Sequence, residues 1–288
     1  MKNLITNLLS CLTFVGCTQD YGQLKYITKL PDVLEENSGI SKISENGLFW
    51  FVNDSGNKDH LYGVNEKGQL IRDIKIKGAK NKDWEDLTKD EEGNIYIGDF
   101  GNNTNKRKTL SIYKIPNPEL SENDELKSEK IEFSFPEQLN YPPKDKKLLF
   151  DVEAFFYLDN NLYLFTRNRS SKKHFDGTFL VYKVPAESGK HKATLLAKLK
   201  TCEQSKECQI TSAAINPTTK KVVLLGYDRL WTIDNFNEKT IASATLNNIP
   251  LGHRSQKESV CFLDDTTILI SDELYQLSGQ NLYSFMLK

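Results

Sequence analysis

The sequence predicts an all-β fold made of repeated units, and three observations carry this prediction. Short runs rich in β-branched and aromatic residues recur throughout the chain, separated by Gly, Asn and Asp. No segment keeps the periodicity of an amphipathic helix. Two independent short patterns each occur five times along the 288 residues, which is typical of a repeat architecture.

The first pattern is an aliphatic residue, then Tyr or Trp, then any residue, then an apolar residue. Its copies lie at residues 61–64, 112–115, 181–184, 230–233 and 282–285. The spacing is about 50 residues, a common repeat length, except for a longer interval between the second and third copies. We assign the surplus to a loop at residues 140–147, because residues 116–150 contain a single strand candidate.

The second pattern is a polar residue, a small or acidic residue and then an apolar run. Its copies begin at Ser38, Glu85, Glu153, Thr211 and Glu258. A further strand lies between the two patterns, at residues 49–52, 95–97, 162–165, 222–225 and 268–270. A fourth strand follows the first pattern at residues 69–76, 130–135, 193–199 and 241–246. Each repeat therefore predicts a four-stranded sheet, although the fifth ends without its fourth strand.

The strand missing from the fifth repeat is available at the other end of the chain, where residues 23–30 precede the first repeat. Four-stranded sheets arranged radially, with the last one closed by a strand from the opposite terminus, form a β-propeller. We therefore predict a single propeller domain, residues 23–288, with five four-stranded blades. The alternative is a ring of six blades, one of them degenerate.

The first 22 residues predict a signal peptide followed by a short tether. The apolar run at residues 4–15 is too short to span a bilayer and is typical of a signal peptide, residues 1–16. Phe14-Val15-Gly16-Cys17 resembles the lipobox of bacterial lipoproteins, with Phe14 where Leu is usual. The resemblance implies lipidation of Cys17, a tether at residues 17–22 and a place in the cell envelope, in the periplasm or at the outer-membrane surface. The alternative is a plain signal peptide.

The cysteines and the net charge indicate the compartment of the protein and limit the classes of partner that it can bind. Cys202 and Cys208 lie close enough in sequence to close a loop disulfide in an oxidising compartment, and Cys261 lies in an apolar run typical of a core residue. Lys plus Arg number 38 and Asp plus Glu 39, a net charge of -1, so no overall field attracts nucleic acid. We expect no nucleic-acid partner, and contact with a membrane only through an N-terminal lipid.

The starts of the innermost strands are the predicted functional site. These strands run along the channel of a propeller, so their first residues meet at one mouth, and the ends of the second strands return to it. Converging carboxylates repel one another unless a cation neutralises them, and hard oxygen ligands suit Ca²⁺. The candidate metal ligands are Glu85, Glu153 and Glu258. The candidate ligand-binding residues are Ser38, Asp54, Trp84, Asp99, Arg167, Thr211 and Asp272.

Two alternatives remain open at this site. The glutamates could instead accept backbone hydrogen bonds from the next blade and hold no ion. Trp84 is either a platform for a sugar or base ring or a packing residue between blades. The sequence contains no G-x-S-x-G, H-E-x-x-H, Walker A or G-x-G-x-x-G motif, so we do not predict covalent catalysis, and any hydrolysis would be metal-assisted.

Residues 83–87 and 94–103, which read DWEDL and NIYIGDFGNN, resemble a group of largely uncharacterised bacterial envelope propellers. The resemblance extends through 37–39, 53–56, 151–154, 210–213 and 257–260. It implies a propeller in the cell envelope and no particular reaction. More distantly, the acidic channel mouth is similar in architecture to calcium-dependent phytases and gluconolactonase-like hydrolases.

Three functions are therefore compatible with the sequence. The first is a lipid-anchored envelope propeller that binds a small ligand or a partner, with a divalent cation, at the acidic mouth. The second is a metal-dependent hydrolase of a phosphoester or lactone, with Asp99 or Asp272 orienting water and Arg167 steering an anionic group. The third is a cation-free interaction scaffold that uses the loop at residues 136–149.

Overall fold

The computed structural model describes residues 19–204 and 207–287, and within them the chain forms five sheets around a channel. The predicted signal peptide and Cys17 lie outside the described residues. None of the helical turns in the described ranges is long and apolar enough to cross a membrane.

The strands follow the predicted order along the chain. The first strand and blade 1 comprise β1 (Lys25–Lys29), β2 (Asn37–Lys42), β3 (Phe49–Asn53), β4 (His60–Val64) and β5 (Leu70–Lys77). The next strands are β6 (Trp84–Lys89), β7 (Ile95–Asp99), β8 (Leu110–Ile115), β9 (Glu125–Lys127) and β10 (Glu129–Ser134). Then come β11 (Asp151–Leu158), β12 (Asn161–Arg167), β13 (Thr178–Pro185), β14 (Gly189–Lys192) and β15 (Thr194–Lys200).

The last two blades complete the chain. Their strands are β16 (Ser212–Ile215), β17 (Val222–Leu225), β18 (Arg229–Ile233), β19 (Asn247–Pro250), β20 (Lys257–Phe262), β21 (Thr267–Asp272) and β24 (Asn281–Met286). A hairpin of β22 (Leu274–Tyr275) and β23 (Ser278–Gly279) separates β21 from β24. Short 3-10 turns lie at Asp32–Leu34, Pro118–Leu120, Asp145–Lys147 and Ile241–Ser243.

The inner strands form a closed ring, which confirms the five-bladed propeller. Each of β2, β6, β11, β16 and β20 contacts the next, and β20 contacts β2 again. The last blade has the order β20-β21-β24-β1. Lys25 lies opposite Ser284 and Lys29 opposite Asn281, so the N-terminal strand closes the ring as predicted.

Blades 1 and 2 have five strands instead of the predicted four. The additional strand β9 pairs in parallel with β5, and β14 pairs in parallel with β10. Each comes from the connection between the third and fourth strands of the following blade. These segments are too short and too polar to predict from sequence, since their strand state depends on the neighbouring edge that they cover.

The predicted fourth strand at residues 241–246 is wrong. This segment begins with the 3-10 turn Ile241–Ser243, and the strand follows at Asn247–Pro250. The side chain of Ile241 is buried in the cluster that also contains Trp231 and Phe236. Ile241 is therefore apolar because it packs between blades, and it does not mark a strand.

The core lies between the blades. The repeated aromatic residues of the first pattern are all buried: Tyr62, Tyr113, Tyr182, Trp231 and Tyr283. Neighbouring blades meet through aromatic contacts, such as Phe100 of blade 2 edge-to-face with Phe155 of blade 3 at 5.0 Å between ring centres. Between blades 3 and 4 the chain also contains a disulfide of Cys202 with Cys208.

Candidate functional site

A β-bulge at the start of four inner strands builds the mouth of the channel. The pairing register shifts between Asn37 and Gly39, between Trp84 and Asp86, between Val152 and Ala154, and between Lys257 and Ser259. The unpaired residue at each shift is Ser38, Glu85, Glu153 or Glu258. A bulge re-aims a side chain away from the regular pleat, and all four of these residues line one cavity.

This mouth cavity has a volume of about 420 Å³. Of the predicted site residues it contains Ser38, Asp54, Glu85, Glu153, Arg167 and Glu258. The other lining residues are Asn103, Arg169, Tyr227, Gln256 and Glu273. The structure thus brings together the three predicted metal ligands and three of the predicted ligand-binding residues.

The other predicted residues are buried behind the cavity wall. Asp99 lies opposite Trp84, and Asp272 lies opposite Lys257, in regular ladder positions beside the bulges. Because side chains alternate along a strand, a shift of one residue changes the face that a side chain occupies. Glu273, one residue after Asp272, is therefore the one that reaches the cavity.

These buried residues have structural partners. Asp272 accepts hydrogen bonds from the Asn281 N–H at 2.8 Å and from the Tyr283 hydroxyl at 2.9 Å. Thr211 donates to the backbone oxygen of Lys257 at 2.6 Å and so ties blade 4 to blade 5. Asp99 lies 3.2 Å from an Arg107 nitrogen.

Trp84 is fully buried and packs between blades 1 and 2. Its indole N–H donates to the backbone oxygen of Lys80 at 3.3 Å, and its ring centre lies 6.4 Å from that of Tyr113. Of the two interpretations of Trp84, the structure thus places the residue as a packing residue.

Glu153 is neutralised within the wall of the cavity. Arg167 Nη1 donates to Glu153 Oε2 at 2.8 Å, and Arg169 Nη2 donates to Oε1 at 2.5 Å. Burial alone would raise the pKa of Glu153, but the two guanidinium groups hold the pKa below its ordinary value. The second terminal nitrogen of Arg167 donates to Gln209 at 3.0 Å and to the Tyr227 hydroxyl at 3.1 Å.

A different trio of carboxylates converges on one point. Asp54, Asp83 and Glu85 each offer an oxygen within 4.8 Å of the others, whereas Glu153 and Glu258 are not members of this group. Asp83 precedes β6 and was not among the predicted site residues, although it belongs to the DWEDL motif. Gly101 makes room for the trio, since a Cβ there would lie 2.1 Å from Glu85 Oε1 and 2.4 Å from Asp83 Oδ2.

Several carboxyl groups of this cavity have raised pKa values. Burial raises the pKa of Asp54 to about 6. Burial, opposed by Arg167, raises the pKa of Glu258 to about 8, and burial together with Glu258 raises the pKa of Glu273 to about 9. Burial and the neighbouring Glu153 raise the pKa of Glu85 well above its usual range. Without a cation, these carboxyl groups are therefore kept neutral by protons, and a bound cation would replace those protons.

Glu85 differs from its neighbours in having no hydrogen-bond donor among the described residues. The residue is only 9% exposed, and it lines the cavity. By contrast, Glu273 accepts a hydrogen bond from Gln256 at 2.8 Å, and Asp54 accepts the N–H of Ser55. A buried carboxylate without a partner is costly, so Glu85 is the group whose charge most needs an external partner.

Fold and site together define a five-bladed β-propeller with an acidic cavity at one mouth of the channel. No family model and no curated protein sequence matches the chain. Among solved structures, the chain is similar to the PQQ-bound aldose sugar dehydrogenase of Streptomyces coelicolor, with 13% identity, a TM-score of 0.47, and coverage of 92% of this chain and 98% of that one.

Two further solved structures show the same distant likeness. The gluconolactonase XC5397 of Xanthomonas campestris has 11% identity and a TM-score of 0.44, over 84% of this chain and 69% of that one. A nidogen/laminin complex has 9% identity and a TM-score of 0.45, over 82% and 72%. At these values the likeness says nothing about ligand or activity. The resemblance to envelope propellers with DWEDL-type motifs stays a prediction.

Proposed function

We propose that this protein is a lipid-anchored envelope propeller that binds a divalent cation of the Ca²⁺ type in the mouth cavity, and through it a small polar ligand. The observation that carries the proposal is the buried, unpartnered carboxylate of Glu85 beside Asp54 and Asp83. Three acidic groups so close together need a positive charge between them, and the arginines of the wall are committed to Glu153.

The separation of the three oxygens suits this ion. Calcium binds oxygen at about 2.3–2.6 Å, so two ligands of one ion lie at most about 5 Å apart. The trio meets this limit, since its three oxygens lie within 4.8 Å of one another. Calcium takes about six to eight oxygens, so its other positions would face the cavity and accept water or the hydroxyl and carboxylate oxygens of a ligand. The trio replaces the set of Glu85, Glu153 and Glu258 that the sequence suggested.

Calorimetric titration with CaCl₂ tests the cation site. We expect one site in the wild-type protein, a loss of affinity of at least about tenfold in Glu85→Gln, equal to about 1.4 kcal/mol, and wild-type affinity in Glu122→Gln. Glu122 is an exposed carboxylate outside the cavity and serves as the matched control. Wild-type heats in Glu85→Gln, or a thermal midpoint that neither Ca²⁺ nor EDTA changes, would contradict the proposal.

The same variants test the hydrolase alternative. Arg167 was the predicted steering group for an anionic ester, but both of its terminal nitrogens already have protein partners. A panel of phosphoesters and lactones should therefore be turned over no faster than in buffer. Calcium-dependent turnover that disappears in Glu85→Gln and persists in Glu122→Gln would establish the enzyme instead.

The envelope location is proposed from the sequence, on the apolar run at residues 4–15 and the lipobox-like segment that ends at Cys17. Expression with a labelled fatty acid in a bacterial host should label the protein and place it in the membrane fraction. Cys17→Ser should abolish the label and release the protein. Equal labelling of both forms would contradict lipid attachment at Cys17.

A further inference from the structure

The opposite mouth of the channel contains a second cavity, of about 310 Å³. The ends of the inner strands line it, whereas their starts line the acidic mouth. This far-mouth cavity has a largely aliphatic wall, to which Ile40, Leu87, Ala213 and Val260 contribute. The two cavities have no lining residue in common.

Two lysines from adjacent blades, Lys42 of β2 and Lys89 of β6, line this cavity. Lys42 is buried, and its ammonium donates to the backbone oxygen of Gly47 at 2.8 Å. The ammonium of Lys89 donates to the backbone oxygen of Ile43 at 2.8 Å. Within the described residues, neither lysine has a carboxylate oxygen within 4.0 Å. The Lys42 ammonium also lies 4.4 Å from the centre of the Phe49 ring, and each ammonium keeps N–H capacity beyond its one hydrogen bond.

The acidic residues on the rim of this cavity have other partners. Asp90 lies 3.2 Å from the ammonium of Lys114. Asp265 accepts a hydrogen bond from Asn216 at 2.9 Å, and Asp264 accepts the N–H groups of its own turn. Among the described residues, the rim acids thus form no ion pair with the two lysines, and Glu119 acts on both of them only at longer range.

We propose that the far-mouth cavity binds a small organic anion with an apolar body, such as a medium-chain aliphatic carboxylate. The carboxylate accepts charge-assisted hydrogen bonds from Lys42 and Lys89, and the hydrocarbon chain lies against the aliphatic wall. A volume of 310 Å³ is at the lower end of the range of small-molecule sites, about 300–1,000 Å³. This site is independent of the cation site at the other mouth.

Three probes with the same chain test the proposal in the wild-type protein. Calorimetry should show that octanoate binds at least about tenfold more tightly than octan-1-ol, which corresponds to about 1.4 kcal/mol. Octylammonium should bind most weakly, because the lysines repel it. Equal binding of octanoate and octan-1-ol, tighter binding of octylammonium through rim acids such as Glu91, or no binding of octanoate would each overturn the proposal.

Single variants then locate the site. Lys42→Met and Lys89→Met keep the length of the side chain and remove its charge, and each should weaken octanoate binding at least about fivefold, or about 1 kcal/mol, without weakening octan-1-ol. Lys67→Met is the matched control, because Lys67 is exposed on a turn of blade 1 away from this cavity. Unchanged octanoate affinity in both cavity variants would overturn the proposal.

Cys261 supplies a readout that needs no variant. It is a free thiol in the lining of the far-mouth cavity. Octanoate should slow alkylation of Cys261 by iodoacetamide, measured by mass spectrometry, while CaCl₂ should not. Alkylation at the same rate with saturating octanoate would place the ligand elsewhere and would overturn the assignment, whatever the behaviour of the cation site.

Discussion

At the mouth where the inner strands begin, a bulge in four of the five blades turns a polar residue toward the axis. At the mouth where the same strands end, the pairing is regular, and small and aliphatic residues remain on the channel side. The first mouth is acidic and the second holds two lysines in an aliphatic wall. One inserted residue in four of the five inner strands is therefore enough to give the two ends of the channel different chemistry.

A buried carboxylate separates the two mouths. Asp86 is fully buried and accepts hydrogen bonds from the N–H of Leu87 at 2.9 Å, of Phe155 at 3.2 Å and of Ala213 at 3.3 Å. The Ser212 hydroxyl donates to it as well, at 3.1 Å. Blades 2, 3 and 4 thus meet at one side chain in the middle of the channel.

The largest effect on stability is expected from Asp86→Ala, which removes the side chain that joins blades 2, 3 and 4 between the two mouths. The change leaves several buried donors without an acceptor, each worth about 1–3 kcal/mol, so the free energy of unfolding should fall by about 4 kcal/mol. Urea denaturation measures this value. Asp124→Ala, at an exposed position, should change it little. A loss below about 1 kcal/mol would show that Asp86 does not join the blades.

Gly101→Ala should damage the acidic mouth alone. A Cβ at this position overlaps Glu85 and Asp83, so the carboxylates must move apart. Calcium affinity should fall about 100-fold, or about 3 kcal/mol, while octanoate binding at the far mouth stays unchanged. Calorimetry with both ligands measures the two effects. A parallel loss of both would indicate that the two mouths are not independent.

The two mouths should also contribute to stability with opposite dependence on pH. The raised pKa values of Asp54, Glu258 and Glu273 mean that the folded protein holds more protons than the unfolded chain above about pH 4. Stability should therefore fall as pH rises from 5 toward 9. Calcium should remove much of this fall, because it replaces the protons.

Burial lowers the pKa of Lys42 and Lys89, so their contribution has the other sign. Between the lowered and the ordinary pKa of each lysine, the folded state holds fewer protons than the unfolded chain, and stability rises with pH there. Thermal or urea unfolding of the wild type, Glu85→Gln and Lys89→Met, measured from pH 5 upward, separates the contribution of the carboxyl groups from that of the lysines. A calcium-free wild type whose stability rises between pH 5 and 8 would contradict the assignment to the acidic mouth.

The smallest effect is expected from Tyr227→Phe in the wall of the acidic mouth. The Tyr227 hydroxyl accepts a hydrogen bond from Arg167 at 3.1 Å. Its loss should lower the free energy of unfolding by about 1 kcal/mol and leave octanoate binding unchanged. A stability equal to that of wild type would mean that water takes the place of the hydroxyl.

Much of the fold could be predicted because the repeated signals are local. One buried aromatic residue of the first pattern, such as Tyr62 or Tyr283, marks a strand in each blade. The strand before the first repeat indicated how the ring closes. The errors fall at the outer edges. Ile241 suggested a strand but packs in a turn, and β9 and β14 are strands only because a neighbouring blade offers them an edge.

Half of the site could be predicted for the same reason. Glu85, Glu153 and Glu258 share one position in the repeat, and that position reaches the cavity in all three blades. The residues that were missed lie in loops, where Asp83 joins the trio and Glu273 takes the place expected for Asp272. No repeat pattern specifies these loops, so their side chains could not be placed from spacing alone.

The sequence alone determined the number of blades, the closing strand and the ring of polar residues at one mouth, because periodic apolar and polar positions act through short-range pairing. Only the tertiary structure decided which carboxylates remain without a positive partner. That outcome depends on Arg167 and Arg169, which neutralise Glu153 and leave Glu85 unpaired. Charge compensation is set by distances between different blades and loops, and these distances exist only once the ring has closed.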